Sequence, residues 1–218
     1  MNEALFFLEI VALVFFTLLA FRHSKEALVA WIVLQGVFAN LFVLKEIPFF
    51  GLAVTPTDPF AVSALFSLNL LQEKWGREGT RGILSIQSIA FLFVIVISLF
   101  QLTFVPTAAD VAHSAYAAIL GFMPRILIAS LVTLIVVQRI DILLYGWLKN
   151  RLPFFWRNLS SLIISQTIDT VLFTFIGLFG ILSSPLDLIL LSLITKGIVI
   201  LTVAPFTKFV LHAKPLPV

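Results

Sequence analysis

GILSIQSIAFLFVIVISLFQLTF, residues 82–104, is the stretch of sequence that decides the fold. A transmembrane helix needs about 20 consecutive apolar residues, and this stretch supplies them without one charged side chain. Six further apolar segments flank it, at about residues 4–21, 27–44, 59–71, 124–147, 157–182 and 186–209. The pattern predicts an all-α integral membrane protein, a helical bundle of six to seven transmembrane helices.

The composition of the 218-residue chain agrees with this fold class. Hydrophobic residues make up 61% of the chain and charged residues 11%, against about 25% charged residues in ordinary soluble domains. Six or seven spans with short loops use the whole length, so we expect one transmembrane domain over residues 1–218, embedded in a lipid bilayer. The chain has no cysteine, which excludes disulfides and Cys-ligated metals, and we expect no cofactor.

Basic residues are distributed unevenly among the predicted loops. The loops after the first, third and fifth segments carry most of them, namely Arg22, Lys25, Lys74, Arg77, Arg81, Lys149, Arg151 and Arg157. The loops between these carry Lys45 or no basic residue. Because basic loops stay on the cytoplasmic side, the alternation predicts seven spans, with the N-terminus outside and the C-terminus in the cytoplasm. The net charge of +3 is then mostly a topology signal, and we expect no nucleic-acid partner.

Two of the predicted outer loops are long enough to fold back against the bundle. Residues 47–60 are rich in proline and aromatic residues, and residues 105–122 end in an alanine-rich half with helical character. Either stretch could form an outer lid or an ordinary loop. Six spans would fit the loop charges only if two segments were re-entrant.

Polar side chains inside the predicted spans indicate a candidate binding site. An ionisable group at the centre of a membrane helix costs roughly 2.5–3.5 kcal/mol on insertion scales, so such groups pair, face the bundle interior or serve function. The candidate substrate-binding residues are Asn40, Asn69, Glu73, Arg125, Gln138, Asp141, Gln166, Asp169 and Lys196. Asp169 and Lys196 lie near the middle of the last two spans, where they could pair, with Gln166 one helical turn from Asp169. The alternative is that the ion pair is purely structural and that the amides only link helices.

Catalytic signatures are absent from the sequence. It contains no His-Glu-x-x-His zinc motif, no P-loop and no Gly-x-Ser-x-Gly elbow. Asp141 and Asp169 could form an aspartyl dyad, but the Gly-rich surroundings of an intramembrane aspartyl protease are missing. No repeat resembles a channel filter. The sequence therefore predicts a transporter rather than an enzyme or a channel.

Four stretches resemble the queuosine-precursor transporter family, a vitamin-uptake-like group of small bacterial membrane proteins. They are NLLQEKWGREGTRG (69–82), RILIASLVTLIVVQRID (125–141), RNLSSLIISQTIDTVLFTFIGLFG (157–180) and TKGIVILTVAPFTKF (195–209). The third is the most specific, with its Ser-Ser pair and its Gln-x-x-Asp-Thr motif. The chain departs from the family at Asn69, where an aspartate is usual, while Glu73 keeps a carboxylate at that corner.

The resemblance implies a multi-pass transporter of the bacterial inner membrane. Its substrate would be a 7-deazaguanine queuosine precursor: the nitrile preQ0, the aminomethyl compound preQ1 or the base queuine. A carboxylate such as Asp169 or Glu73 can accept both N–H groups of a guanine-like edge, while Gln138 and Gln166 can bond the carbonyl and a ring nitrogen. The alternative is a substrate-binding subunit of an energy-coupled vitamin transporter. The sequence leaves open the choice among the three compounds and the formation of a homo-oligomer.

Overall fold

The computed structural model describes residues 1–178 and 185–206. In chain order its elements are α1 Asn2–His23, α2 Lys25–Phe42, β1 Ile47–Phe49, β2 Leu52–Val54, α3 Asp58–Gly79, α4 Ile83–Thr103, α5 His113–Leu120, α6 Met123–Leu148, α7 Phe154–Phe173 and α8 Pro185–Val203. A π-helical turn, Thr174–Leu178, continues α7, and a 3₁₀ turn, Ala204–Phe206, ends α8. The predicted ends of the last two segments, at 182 and 209, and the C-terminus lie outside the described residues.

Six helices in the described part of the chain are long and apolar enough to cross a membrane. They correspond to α1, α2, α4, α6, α7 and α8, and they confirm the predicted bundle of six to seven transmembrane helices. On α4 the side chains of Ile89 and Phe93 are 68% and 63% exposed, while Gln87 is fully buried. Apolar side chains outside and polar side chains inside are the arrangement expected where lipid is the solvent.

The third predicted segment, residues 59–71, forms part of α3, which is as long as the other spans but much less apolar. This helix packs against α1, α2, α6, α7 and α8, and most of its side chains are buried. Because neighbouring helices cover it, α3 does not need the apolar surface that contact with lipid demands. The most polar long helix is therefore the buried centre of the bundle.

Local sequence features set the bounds of the central helices. Ser24 accepts a hydrogen bond from Ala27 N at 3.0 Å and so caps the N-terminus of α2. Pro59 stands in the first turn of α3, where an N–H would lack an intrahelical acceptor in any case. Gly76, at φ 68° and ψ −170°, interrupts the helical backbone of α3, a conformation that glycine adopts without strain. The regular part of α3 therefore ends just before Gly76.

The predicted outer stretch of residues 47–60 folds into a β-hairpin and the first residues of α3. Strands β1 and β2 pair antiparallel, and Phe50 and Gly51 at the turn both have positive φ, as a type I′ turn requires. Asn2 Nδ2 donates to Pro48 O at 3.1 Å and ties the hairpin to the start of α1. The other outer stretch contains α5, which confirms its predicted helical half, and none of the α5 side chains is buried.

Candidate functional site

A cavity of about 160 Å³ lies where the C-terminal ends of α2 and α7 meet the N-terminal end of α3 and the middle of α8. We call it the carboxylate chamber. Its polar lining residues are Asn40, Glu46, Thr55, Thr57, Asp58, Ser130, Asp169, Thr170, Thr174, Ser192 and Lys196. Converging polar groups in a concave space among membrane helices are typical of a solute-binding site.

Lys196 and Asp169 form an ion pair on the wall of the carboxylate chamber, at the place where the sequence suggested a pair. Lys196 Nζ donates to Asp169 Oδ2 at 2.6 Å, and the two side chains are 6% and 26% exposed. The contact joins α8 to α7. A buried ammonium is tolerated when a carboxylate compensates its charge, so Asp169 keeps Lys196 inside the bundle and Lys196 neutralises one carboxylate of the chamber.

Asp58 is a buried carboxylate of this chamber that the sequence analysis missed. Its side chain is 5% exposed in the first turn of α3, where the helix dipole favours negative charge. Oδ1 accepts a hydrogen bond from Ser192 Oγ at 3.0 Å, whereas Oδ2 has no partner among the described residues. The signal was present in the sequence, because Thr57-Asp58-Pro59 is typical of a helix start.

A second cavity, of about 80 Å³, adjoins the first and shares Asn40 and Asp169 with it. We call it the amide chamber, because four buried glutamines line it: Gln35, Gln87, Gln138 and Gln166. Gln138 Nε2 donates to Gln87 Oε1. Each of the four retains one amide atom without a partner in the part of the chain that is described. Amides offer both donors and acceptors, so this chamber suits a solute with mixed hydrogen-bonding edges.

The two chambers together combine surplus negative charge with flat apolar surfaces. The carboxylates of Glu46, Asp58 and Asp169 face a single ammonium, that of Lys196, among the residues that line the carboxylate chamber. Phe173 lines this chamber, and Phe60 and Phe91 line the amide chamber. Such a lining favours a flat solute that carries N–H donors or a positive charge.

Four of the predicted site residues lie away from both chambers. Asn69 Nδ2 donates to Asn158 Oδ1 at 3.0 Å between α3 and α7. Asp141 accepts hydrogen bonds from Ser161 and Ser165 at 2.6 and 2.7 Å between α6 and α7. The structure thus brings five predicted residues to the chambers, namely Asn40, Gln138, Gln166, Asp169 and Lys196.

Glu73 is the third predicted residue outside the chambers, and it belongs to a cluster of charged side chains at the end of α3. It forms a salt bridge with Arg157 and accepts a hydrogen bond from Tyr145 Oη at 3.1 Å. Arg125, also predicted, is exposed in the first turn of α6 and lines neither chamber. The carboxylates of Asp141 and Asp169 have different partners and form no dyad.

Comparison with known proteins assigns this architecture to a family. A family model described as "Putative vitamin uptake transporter" matches residues 59–210. The chain belongs to this family. The vitamin uptake transporter family is a class of transporters rather than of enzymes, which confirms the predicted absence of an enzymatic function and, with the six apolar helices, indicates a multi-pass bacterial membrane protein.

The chain is also similar to a curated bacterial protein over most of its length. Over 184 residues the chain is 29% identical to the "Probable queuosine precursor transporter" of Bacillus subtilis (strain 168), which covers 83% of this chain and 80% of the relative. This confirms the resemblance drawn from the four sequence stretches. No solved structure matches the chain. Within the vitamin uptake transporter match lie Asp169, Lys196, Gln138 and Gln166, whereas Asp58 immediately precedes it.

Proposed function

We propose that this vitamin uptake transporter imports a queuosine precursor of the 7-deazaguanine type and binds it across the carboxylate and amide chambers. The observation that carries the proposal is a pair of adjoining cavities in which the carboxylates of Asp58 and Asp169 stand next to four buried glutamines with unpartnered atoms. The printed function of the Bacillus relative supports the same substrate class.

The hydrogen-bonding pattern of a deazaguanine fits this lining. Its guanine edge presents an N–H and an NH₂ group side by side, which a single carboxylate can accept together. Asp169 is the acceptor for this edge, because it lies on the wall of both chambers beside the glutamines, while Asp58, whose Oδ2 is unpartnered, remains available to a positive group. The carbonyl and ring nitrogen would then be met by the glutamine amides, and a lining phenylalanine such as Phe60 would cover the flat ring.

The charge of the chamber favours preQ1 among the three compounds. Its aminomethyl group is a cation, whereas preQ0 carries a neutral nitrile in the same place. Lys196 compensates only one of the three carboxylates in the lining, so a second positive charge is attracted rather than repelled. Glu46 is exposed to solvent, but a neutral base would leave the buried Asp58 without a counter-charge of its own.

Uptake by a bacterial host that lacks its own precursor synthesis and transport tests the proposal. Cells that express the chain would be fed preQ0, preQ1 or queuine, and each intracellular compound would be quantified by LC–MS. We expect accumulation of preQ1 above the empty-vector level and above that of preQ0. Failure of all three compounds to accumulate in cells with correctly inserted protein would refute the substrate assignment.

Transport by the purified chain in liposomes separates a self-sufficient importer from a substrate-binding subunit of an energy-coupled transporter. We expect the chain alone to carry preQ1 across the liposome membrane, because this chain alone lines both chambers. High-affinity binding of preQ1 without any transport would instead assign the chain to the subunit class.

A further inference from the structure

Buried polar residues continue beyond the chambers between α3, α6 and α7. We call this set the polar seam, and its members are Asn69, Gln72, Asp141, Asn158, Ser161 and Ser165. Each of these side chains is at most 1% exposed. They contact one another in pairs or contact the backbone, as when Gln72 Nε2 donates to Ile142 O at 3.1 Å. Ser165 directly precedes Gln166 on α7, and Asp141 follows Gln138 by about one helical turn on α6, so the seam begins next to the amide chamber.

The polar seam ends at a cluster that joins the same three helices. We call it the gate cluster, made of Glu73 on α3, Tyr145 on α6, Lys149 just after α6 and Arg157 on α7. Glu73 binds Arg157 in a salt bridge, and Lys149 Nζ lies 3.9 Å from Glu73 Oε2. The guanidinium of Arg157 also lies 4.9 Å from the centre of the Tyr145 ring.

The gate cluster and the chambers lie toward opposite ends of these three helices. On α3 the lining residue nearest to Glu73 is Leu65, and on α7 the lining residue nearest to Arg157 is Gln166. At 1.5 Å per residue, these separations are about 12 and 14 Å along the helix. α6 repeats the order, since Ser130 lines the chambers and Tyr145 belongs to the cluster.

The seam is poorly explained as a means of holding helices together. Asp141 Oδ2, Asn69 Oδ1, Asn158 Nδ2 and Gln72 Oε1 are buried without a hydrogen-bond partner in residues 1–178 and 185–206. Each such atom opposes folding by about 1–3 kcal/mol, whereas apolar side chains of similar size would pack the same interface without that penalty. A polar lining is useful when the interface opens to water and to a polar solute, as it does along a transport route.

We propose that the polar seam is the closed half of the transport route and that the gate cluster is its gate. A solute leaves the chambers between α3, α6 and α7 when the Glu73–Arg157 salt bridge opens, and the seam side chains then meet solute and water. The proposal rests on the proposed function only in that the chambers hold a transported solute; it does not depend on which solute that is.

Single-cysteine labelling tests the gate without any substrate. The chain has no native cysteine, so Ser161→Cys places the one thiol of the protein in the seam. A bulky, water-soluble maleimide would be applied to the purified protein in detergent, with and without Glu73→Gln. We expect Glu73→Gln to raise the labelling rate of Ser161→Cys about tenfold or more, which is the change produced by losing roughly 1.4 kcal/mol of closing free energy.

A matched control separates gate opening from general loosening. Ser67 is equally buried on α3, but its hydroxyl lies 3.1 Å from Thr17 Oγ1, on the α1 side and away from the seam. The labelling rate of Ser67→Cys should stay unchanged by Glu73→Gln. Equal increases at Ser67→Cys and Ser161→Cys, or no increase at Ser161→Cys, would overturn the proposal.

A milder variant keeps the test decisive if Glu73→Gln does not fold. Tyr145→Phe removes the phenolic hydroxyl that donates to Glu73 and leaves the salt bridge between Glu73 and Arg157 in place. We expect it to raise the labelling of Ser161→Cys by a smaller factor than Glu73→Gln does. An unchanged rate in this variant, with folding verified by size-exclusion chromatography, would also count against the gate. Labelling succeeds or fails whether or not a deazaguanine is transported, so it is independent of the uptake experiment.

Discussion

Lys196 Nζ lies 2.6 Å from Asp169 Oδ2, and Asp169 is part of the wall of both chambers. The ion pair therefore stands at the junction of the charged and the amide-lined halves of the cavity. Asp58 lies on the wall of the same chamber, and its partner Ser192 stands one helical turn before Lys196 on α8. Lys196 can therefore interact with the carboxylates of both Asp169 and Asp58, whereas Asp169 has one ammonium partner among the described residues.

We predict that the two single substitutions of this ion pair destabilise the protein by unequal amounts. Lys196→Met leaves the carboxylates of Asp58 and Asp169 without a counter-charge and should destabilise the protein by about 3 kcal/mol or more. Asp169→Asn should destabilise it less, because Lys196 can still interact with Asp58. The double variant should be more stable than the sum of the single effects implies. Thermal unfolding in detergent measures all three, and strictly additive effects would show that the two side chains are not coupled.

Asp58 is predicted to select for a positive charge on the solute. Asp58→Asn keeps the shape of the side chain and removes its charge, so the affinity for preQ1 should fall about tenfold or more, equivalent to roughly 1.4 kcal/mol. The affinity for preQ0 should fall less. Glu78→Gln is a matched control, because Glu78 is 79% exposed and pairs only with Arg81 among the described salt bridges. Isothermal titration calorimetry with both compounds checks this. Equal losses of affinity for preQ1 and preQ0 would show that Asp58 does not select for charge.

We predict that the unpartnered amides of the amide chamber contribute to ligand binding and lower the stability of the protein. Gln166→Leu replaces a buried amide, whose Oε1 has no described partner, by an apolar side chain of similar size. We expect the melting temperature to stay the same or rise, because an unpaired buried polar atom is removed. Ligand binding should be lost at the same time. Gln101, exposed on α4, provides the control Gln101→Leu, which should leave binding intact. A Gln166→Leu protein that binds as tightly as the parent would exclude this amide from the site.

The predicted orientation of the chain can be tested with cysteine reporters in two exposed loops. Ala108 lies between α4 and α5, and Asn150 lies between α6 and α7. Seven spans with an external N-terminus place the first loop outside and the second in the cytoplasm. An impermeant thiol reagent applied to intact cells should therefore label Ala108→Cys and spare Asn150→Cys, with the cysteine-free parent as the blank. The opposite labelling would reverse the orientation.

The sequence allowed part of the site to be predicted because the relevant residues lie deep in clearly apolar segments. Asp169 and Lys196 interrupt long hydrophobic runs near their middles, so their similar depth and pairing follow from counting residues along two helices. Gln138 and Gln166 were found in the same way. Depth in a segment is a one-dimensional property, and it suffices when neighbouring helices bring residues of equal depth together.

The remaining site residues depended on which helix faces meet, and counting along the chain does not reveal this. Asn69, Glu73 and Asp141 were grouped with the binding residues because they too are polar residues within or at the ends of apolar segments. In the structure they lie nearer the other end of α3 and α6, where they contact α7. Asp58 was missed because the hydropathy of the chain falls before Pro59, so that the start of α3 was assigned to a loop.

The low hydropathy of α3 has a consequence for how the protein is made. A segment this polar gains little free energy when it moves by itself from the translocation channel into lipid. We therefore expect α3 to enter the bilayer only together with α1 and α2, against which it packs. The insertion of α3 then depends on its packing against α1 and α2 and not on the partitioning of the isolated segment into lipid. Changes on the faces of α1 and α2 that receive it would act on biogenesis, producing chains in which α3 stays on one side of the membrane and every later helix is inverted.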